Sequence, residues 1–346
     1  MKKLAVLVIH GIEVDDPGLF DTAVRKLREH FSASARIPAE DALVVETVNW
    51  ASVLEGAERD FLAKHGTPDT EGYWKSLYDG VRAVNQGRES ALVPLLLRMA
   101  RPSVRGMDLH YPGLRWLVVH FVGDIIAYQS NPADLDVYTG IHRKVAEALG
   151  RLRARAGDTT PLCVISHSLG SVIASNYFYD LQARRLDGRD IIETTVASVQ
   201  GESPLERGET LSRFYTLGTP MALWSLRYPR AELDKPVHVP APELEHHHPG
   251  LGGEWLNFHD DDDVFAWPLQ PLSEAYREAV QDRTVRLAGP LFSWTPLVHP
   301  FYWSDDSVMK PIGQSLAEAW KQLDAAPADS LRPHETLHEP LVSTDA

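Results

Sequence analysis

A chain of 346 residues, 44% hydrophobic and 24% charged, has ordinary globular composition and is long enough for one large core or two smaller ones. Its formal charge of −14 argues against nucleic acid as a partner, because phosphate contacts need clustered Lys and Arg. The single cysteine, Cys163, excludes an intrachain disulfide and a cysteine zinc site, and no run reaches the roughly 18 apolar residues of a transmembrane span.

The N-terminus, MKKLAVLVIHG, is too short in its apolar part for a secretory leader and has no small-residue cleavage site. It predicts a first strand over residues 4–9, and a cytoplasmic location is the expectation. Asp15-Asp16-Pro17 opens a predicted helix to about residue 30, since Pro suits a first helical turn. ALVVETV (42–48) predicts a second strand, so strand, helix, strand implies a parallel sheet. About 110 residues precede the next clear strand at 162–165, too many for a loop without structure of its own. Helices are predicted within it at 53–65, 73–85, 89–101 and 114–128, and an amphipathic crossover helix at 134–156. Beyond it follow a helix at 169–182, strands at 213–217, 255–259 and 284–287, and a terminal helix at 311–323. The expected fold class is α/β: a mostly parallel central sheet with flanking helices, built from residues 1–50 and 132–324. Residues 51–131 are expected to form a helical cap insertion, and the Pro- and Asp-rich stretch 325–346 a loosely ordered tail.

The run PLCVISHSLGS (161–171) places Ser166, His167 and Ser168 at the end of a buried strand and before a helix. Strand, then small-x-Ser-x-Gly, then helix is the context of a nucleophile elbow, in which the serine sits on a sharp turn. Residues two before and two after it must be small; Gly170 meets this fully, and Ser166 stands where Gly is commoner. Ser168 is the candidate nucleophile. The N–H of Leu169, at a helix start, is one candidate oxyanion donor. His10-Gly11-Ile12, directly after the first strand, supplies the other through Ile12 or Gly11.

A neutral serine needs a base, and in this architecture acid and histidine follow it in that order. Acid candidates lie after WLNFH (255–259): Asp263 first, because it opens an Asp-x-apolar loop, then Asp260, then Asp262. The candidate base is His299 in LVHPFYWSDDSV, with Phe301, Tyr302 and Trp303 as a shield from water; His259 is the second choice.

At these residues the sequence resembles the α/β-hydrolase superfamily, in particular its lipase-like and esterase-like members. The carriers are VIHGI (8–12), VISHSLGSVIA (164–174), YTLGTPMALW (215–224), WLNFHDDDDVFAWPL (255–269) and VHPFYWSDDSV (298–308), spanning about 4–50 and 133–323 but not the insertion or the tail. The resemblance implies a serine hydrolase with Ser168, Asp263 and His299 as triad and Ile12 and Leu169 as oxyanion donors. It needs no metal or organic cofactor and implies a small-molecule or lipid-like ester as substrate. Acyl transfer and thioester cleavage would use the same groups. Two other classes remain beside it: a metal-dependent hydrolase using Asp260, Asp263 and His246-His247-His248, and a catalytically silent binding module. Apolar stretches at 91–97 and 115–128 are expected mostly to pack, with a minority facing an acyl group; Asp124 and Tyr128 are expected to hydrogen-bond inside the core. The sequence leaves the oligomeric state open.

Overall fold

A computed structural model describes residues 2–11, 17–64, 101–102, 109–110, 123–129, 136–187, 195–227, 236–288 and 296–325. Six strands form one sheet: β1 (Leu4–Ile9), β2 (Leu43–Val48), β3 (Leu162–His167), β4 (Leu211–Leu217), β5 (Glu254–Asp260) and β6 (Gln281–Val285). Their order is β2-β1-β3-β4-β5-β6, and every neighbouring pair is parallel. The expectation of a parallel α/β sheet with flanking helices therefore holds.

Both faces of such a sheet must be covered, and β1 and β3 carry the pattern that requires it: every residue of each is buried. Alternate side chains serve different layers. Leu4, Val6 and Val8 join a core with α1 (Pro17–Ala35) and α4 (Asp306–Ala325), while Ala5, Leu7 and Ile9 join one with α2 (Asp136–Ala156) and α3 (Leu169–Asp187). The result is a three-layer α/β/α arrangement. The strand order reverses direction between β1 and β3, where the chain leaves the sheet one way to β2 and the other way to β4. In open parallel sheets such a switch point leaves a crevice at the carboxyl ends of its two strands. His10-Gly11 follows β1 and Ser168 follows β3, so both predicted elements lie at that crevice.

Two boundaries differ from the sequence expectation. The last strand is Gln281–Val285 rather than 284–287, because an edge strand exposed along most of its length carries no apolar run. The terminal helix begins at Asp306, a turn before Pro311. Burial of Val308 and Met309 against the α1 layer outweighs the backbone hydrogen bond that the proline lacks.

Of the expected insertion, residues 65–100, 103–108, 111–122 and 130–131 lie outside the described residues, as do the predicted helix at 73–85 and most of those at 89–101 and 114–128. Its first part, a 3-10 turn at Ala51–Val53 and a helix at Glu55–Lys64, starts on the sheet's own core, where Ala51 and Leu54 are buried beside Trp50. Arg101–Pro102 and Leu109–His110 pair antiparallel, at the end of a stretch predicted helical. A helix at residues 123–128 buries Asp124 and Tyr128, and the Tyr128 hydroxyl lies 3.0 Å from His142 Nε2 and accepts from Asn176 Nδ2 at 3.1 Å. The tail from 326 onward lies outside the described residues. Among the described residues no helix is long and apolar enough to cross a membrane.

Candidate active site

β3 ends on His167, α3 begins on Leu169, and Ser168 alone makes the turn between them. Its φ of +54° is left-handed, a conformation that costs an L-residue roughly 1–2 kcal/mol and persists only where the surroundings enforce it. Here the backbone is held on both sides: Ser168 N–H donates to Leu217 O at 2.9 Å, and its carbonyl accepts from Ser171 N–H at 2.9 Å. The hydroxyl is fully buried and has no hydrogen-bond partner among the described residues.

The small-residue requirement at this turn is steric. A Cβ on Gly170 would lie 2.2 Å from the carbonyl oxygen of His10 and 2.6 Å from that of Ile9, so only glycine lets α3 start against the end of β1. A Cβ on Gly11 would lie 2.6 Å from Ser168 Cβ. The end of β1 and the serine are therefore in direct contact. Ser166, at the other small position, is fully buried and satisfies its hydroxyl by donating to Tyr215 O at 3.1 Å. A strand carbonyl thus takes care of the polar atom that glycine would not have had.

One described backbone group beside Ser168, the N–H of Leu169, can face a developing oxyanion. Leu169 is the first residue of α3, so its N–H has no intrahelical acceptor and sits at the positive end of a 19-residue helix. On the β1 side, His10 Nδ1–H donates to Gly11 O at 2.9 Å; the His10 ring stacks on Trp50, whose indole N–H donates to His10 O at 2.7 Å. Burial lowers the pKa of His10 from its ordinary value, so this clamp is a neutral imidazole. Ile12, the other predicted donor, lies outside the described residues.

The three candidate acids separate clearly in the structure. Asp263 is 2% exposed; its Oδ1 accepts from Phe265 N–H at 3.0 Å and its Oδ2 lies 2.7 Å from His299 Nδ1. Asp260 spends its carboxylate on backbone, accepting from Asp262 N–H at 3.0 Å and Leu287 N–H at 2.7 Å, and burial raises its pKa. Asp262 is exposed. Only Asp263 meets the predicted base. His299 is on the 3-10 segment Pro296–Trp303, packed at 5.1 Å against Phe265. A Cβ on Gly218 would lie 3.2 Å from His299 Cε1, and Gly218 directly follows the residue whose carbonyl holds Ser168 N–H. Ser168, Asp263 and His299, distant in sequence, thus converge on the carboxyl ends of β3, β4 and β5.

The aromatic shield is also structural wiring. Phe301, Tyr302 and Trp303 are all buried. The Tyr302 hydroxyl accepts from Asp260 N–H at 2.9 Å and hydrogen-bonds to the Asp263 carboxylate. Burial, then the neighbouring Asp263 charge, hold its pKa well above the usual tyrosine value, so it remains a proton donor to that carboxylate. His259, the second candidate base, is buried in β5, and its Nδ1 has no hydrogen-bond partner among the described residues.

The histidine run does not join this centre. His247 pairs with Glu209 at 3.1 Å, and His248 Nε2 hydrogen-bonds to Thr159 O just before β3 begins. Asp260 ends β5 at the opposite rim, one strand length of about 20 Å away. Among the described residues no group of three or more His, Cys, Asp or Glu could hold a metal ion. Cys163 is buried, with its thiol pushed up to about 11 by desolvation, and is no nucleophile near neutral pH.

Sequence reasoning passed over three residues that touch these groups: His10, His167 and the hydroxyl of Tyr302. The signal for Tyr302 is its spacing, three residues past His299, which on a helical turn puts the two side chains on one side. His10 and His167 carry no such signal, because both are strand-end residues whose neighbours come from other strands. The sequence matches no known protein family, and no curated protein or solved structure matches it either.

Proposed function

We propose that the chain is an α/β-hydrolase-type serine hydrolase that cleaves carboxylic esters through an acyl-enzyme on Ser168. The observation that carries this reading is the pairing of a buried, left-handed Ser168, its hydroxyl without a partner among the described residues, with an Asp263–His299 pair at the same rim of the sheet. A surface serine at a helix start needs neither a strained backbone nor a carboxylate-held imidazole beside it. The seat at the switch point of the parallel sheet supports the same reading.

In this scheme His299 Nδ1–H is held by Asp263, which leaves Nε2 as the base. Nε2 takes the Ser168 proton as Oγ attacks the ester carbonyl carbon. The C=O pair moves to oxygen, and the oxyanion is met by the Leu169 amide and by an amide of the 10–12 turn. The tetrahedral carbon then reforms C=O and expels the alkoxide, which takes the proton from His299. Water attacks the acyl-Ser168 ester by the same two steps and releases the acid. Asp263 fixes the imidazole tautomer and stabilises its charged form, and Tyr302 steadies Asp263.

Four large apolar side chains are exposed on the segments after β4 and β5: Leu223, Leu226, Val264 and Trp267. They flank the same rim, and Trp267 N–H reaches Thr219 O across the two loops at 3.4 Å. This favours an apolar acyl or alcohol group over a charged one. The test is a chain-length panel of chromogenic esters with wild type and Ser168→Ala, with and without a chelator. Turnover by wild type only, unaffected by the chelator, is expected. Equal turnover by both proteins contradicts the role of Ser168, and loss on chelation favours the metal-dependent class instead.

A further inference from the structure

We propose that His167 is a positioning residue that holds the main chain of His299, so that the base stays aimed at Ser168. The proposal rests on the esterase reading and adds a residue to its machinery. His167 Nε2 lies 2.9 Å from the carbonyl oxygen of His299, and because a carbonyl only accepts, the ring carries its proton on Nε2. The two rings pack with centroids 4.7 Å apart, and Tyr302 and Trp303 close around His167 at 5.7 and 5.6 Å. The other edge of the ring abuts the end of β1: a Cβ on Gly11 would lie 3.0 Å from His167 Nδ1. One side chain therefore bridges the elbow, the 10–11 turn and the segment that carries the base, and it is bonded through its own peptide to Ser168.

This arrangement has a consequence for the reaction cycle. When His299 holds the proton taken from Ser168, a second cation beside it would be repelled, and a protonated His167 would push its neighbour out of place. Burial, then the neighbouring His299 and His10, keep the His167 pKa well below its ordinary value. The groups around it are His10 from the end of β1, and His299, Tyr302 and Trp303 from the 3-10 segment, with Asp263 behind His299. His167 therefore stays a neutral N–H donor while His299 alternates between its two states. The clamp keeps its hydrogen bond throughout. Misplacing a reacting group by about 1 Å costs about 10²-fold in rate, which is the scale of effect such a clamp prevents.

Two kinds of measurement test it. In wild type, ¹⁵N spectra of the histidine rings are expected to show His167 as the Nε2–H tautomer, unchanged between pH 8 and 5, with a slowly exchanging His299 Nδ1 proton. A Nδ1–H tautomer at His167 overturns the proposal with no variant needed. In kinetics, His167→Leu is expected to lower kcat by roughly 10- to 10²-fold with little change in KM and to speed exchange of the His299 Nδ1 proton. His167→Gln, whose side-chain N–H can reach the same carbonyl, is expected to recover kcat to within several-fold of wild type. A purely space-filling role predicts no such rescue, so a Gln variant as impaired as the Leu variant overturns the proposal, as does a Leu variant with unchanged kcat and exchange. Absence of ester turnover in wild type defeats the esterase reading instead, while the tautomer and exchange measurements still decide whether His167 holds His299.

Discussion

Ser168→Ala and His299→Ala are each expected to lower kcat for ester cleavage by roughly 10⁴- to 10⁶-fold, and the double variant by no more than either alone. The non-additivity follows from the proposed mechanism. The hydroxyl is useless as a nucleophile without a base, and the base has nothing to deprotonate without the hydroxyl. Asp263→Asn should cost less, on the order of 10⁴-fold, since the oriented imidazole survives in the wrong tautomer part of the time. Asp262→Asn, altering an exposed side chain, should leave kcat near wild type. Steady-state kinetics on the four single variants and the double variant check this. Additive losses for Ser168 and His299 would mean that they act in separate steps or that one of them is only structural.

The second large effect concerns acid stability. His142 is fully buried between α2, α3 and the 123–128 helix, with Tyr138 at 4.1 Å and Tyr177 at 5.5 Å, and desolvation drives its pKa from 6.5 to about 3. The native state thus refuses a proton that the unfolded chain accepts. Above pH 6.5 both states hold it neutral and its full contribution to stability is present. As pH falls from 6.5 toward 3 the unfolded chain gains the proton first, so stability is lost over that window, by roughly 4–5 kcal/mol from this one ring. His10 and His167, whose pKa values are also lowered, act in the same direction. Urea unfolding between pH 7 and 4 should show a steep loss of stability in wild type. In His142→Gln the slope should be smaller by close to one proton, whatever its stability at pH 7. Parallel slopes in the two proteins would contradict the buried neutral state.

How much of this was legible in the sequence depends on whether a residue's role is local. The runs LAVLVI and LCVI announce strands buried on both faces because they are apolar throughout, and the amphipathic helix predicted at 134–156 declares its apolar side by spacing alone. The elbow is legible for the same reason: small residues flanking a serine between strand and helix make sense only at a tight turn. Edge strand β6, by contrast, is polar along most of its exposed length, and its pairing is decided by β5 rather than by its own pattern. The sequence ranked Asp263 above Asp260 and Asp262 by its loop pattern but could not decide among them. All three are the same residue type within four positions, and what separates them is where the Leu287 amide and the His299 ring arrive from distant parts of the chain. His167 belongs to the same class, since its contact is made across 132 residues.

The proposed ester cleavage stands on the hydroxyl of Ser168 being a nucleophile made reactive by His299. Its most direct test is to treat wild type, Ser168→Ala and His299→Ala with a fluorophosphonate and to map the adduct by peptide mass spectrometry. A single adduct on Ser168 is expected in wild type, none at that position in Ser168→Ala, and labelling slowed by several orders of magnitude in His299→Ala. An unmodified Ser168 in folded wild type, or equal labelling with and without the His299 imidazole, would contradict it.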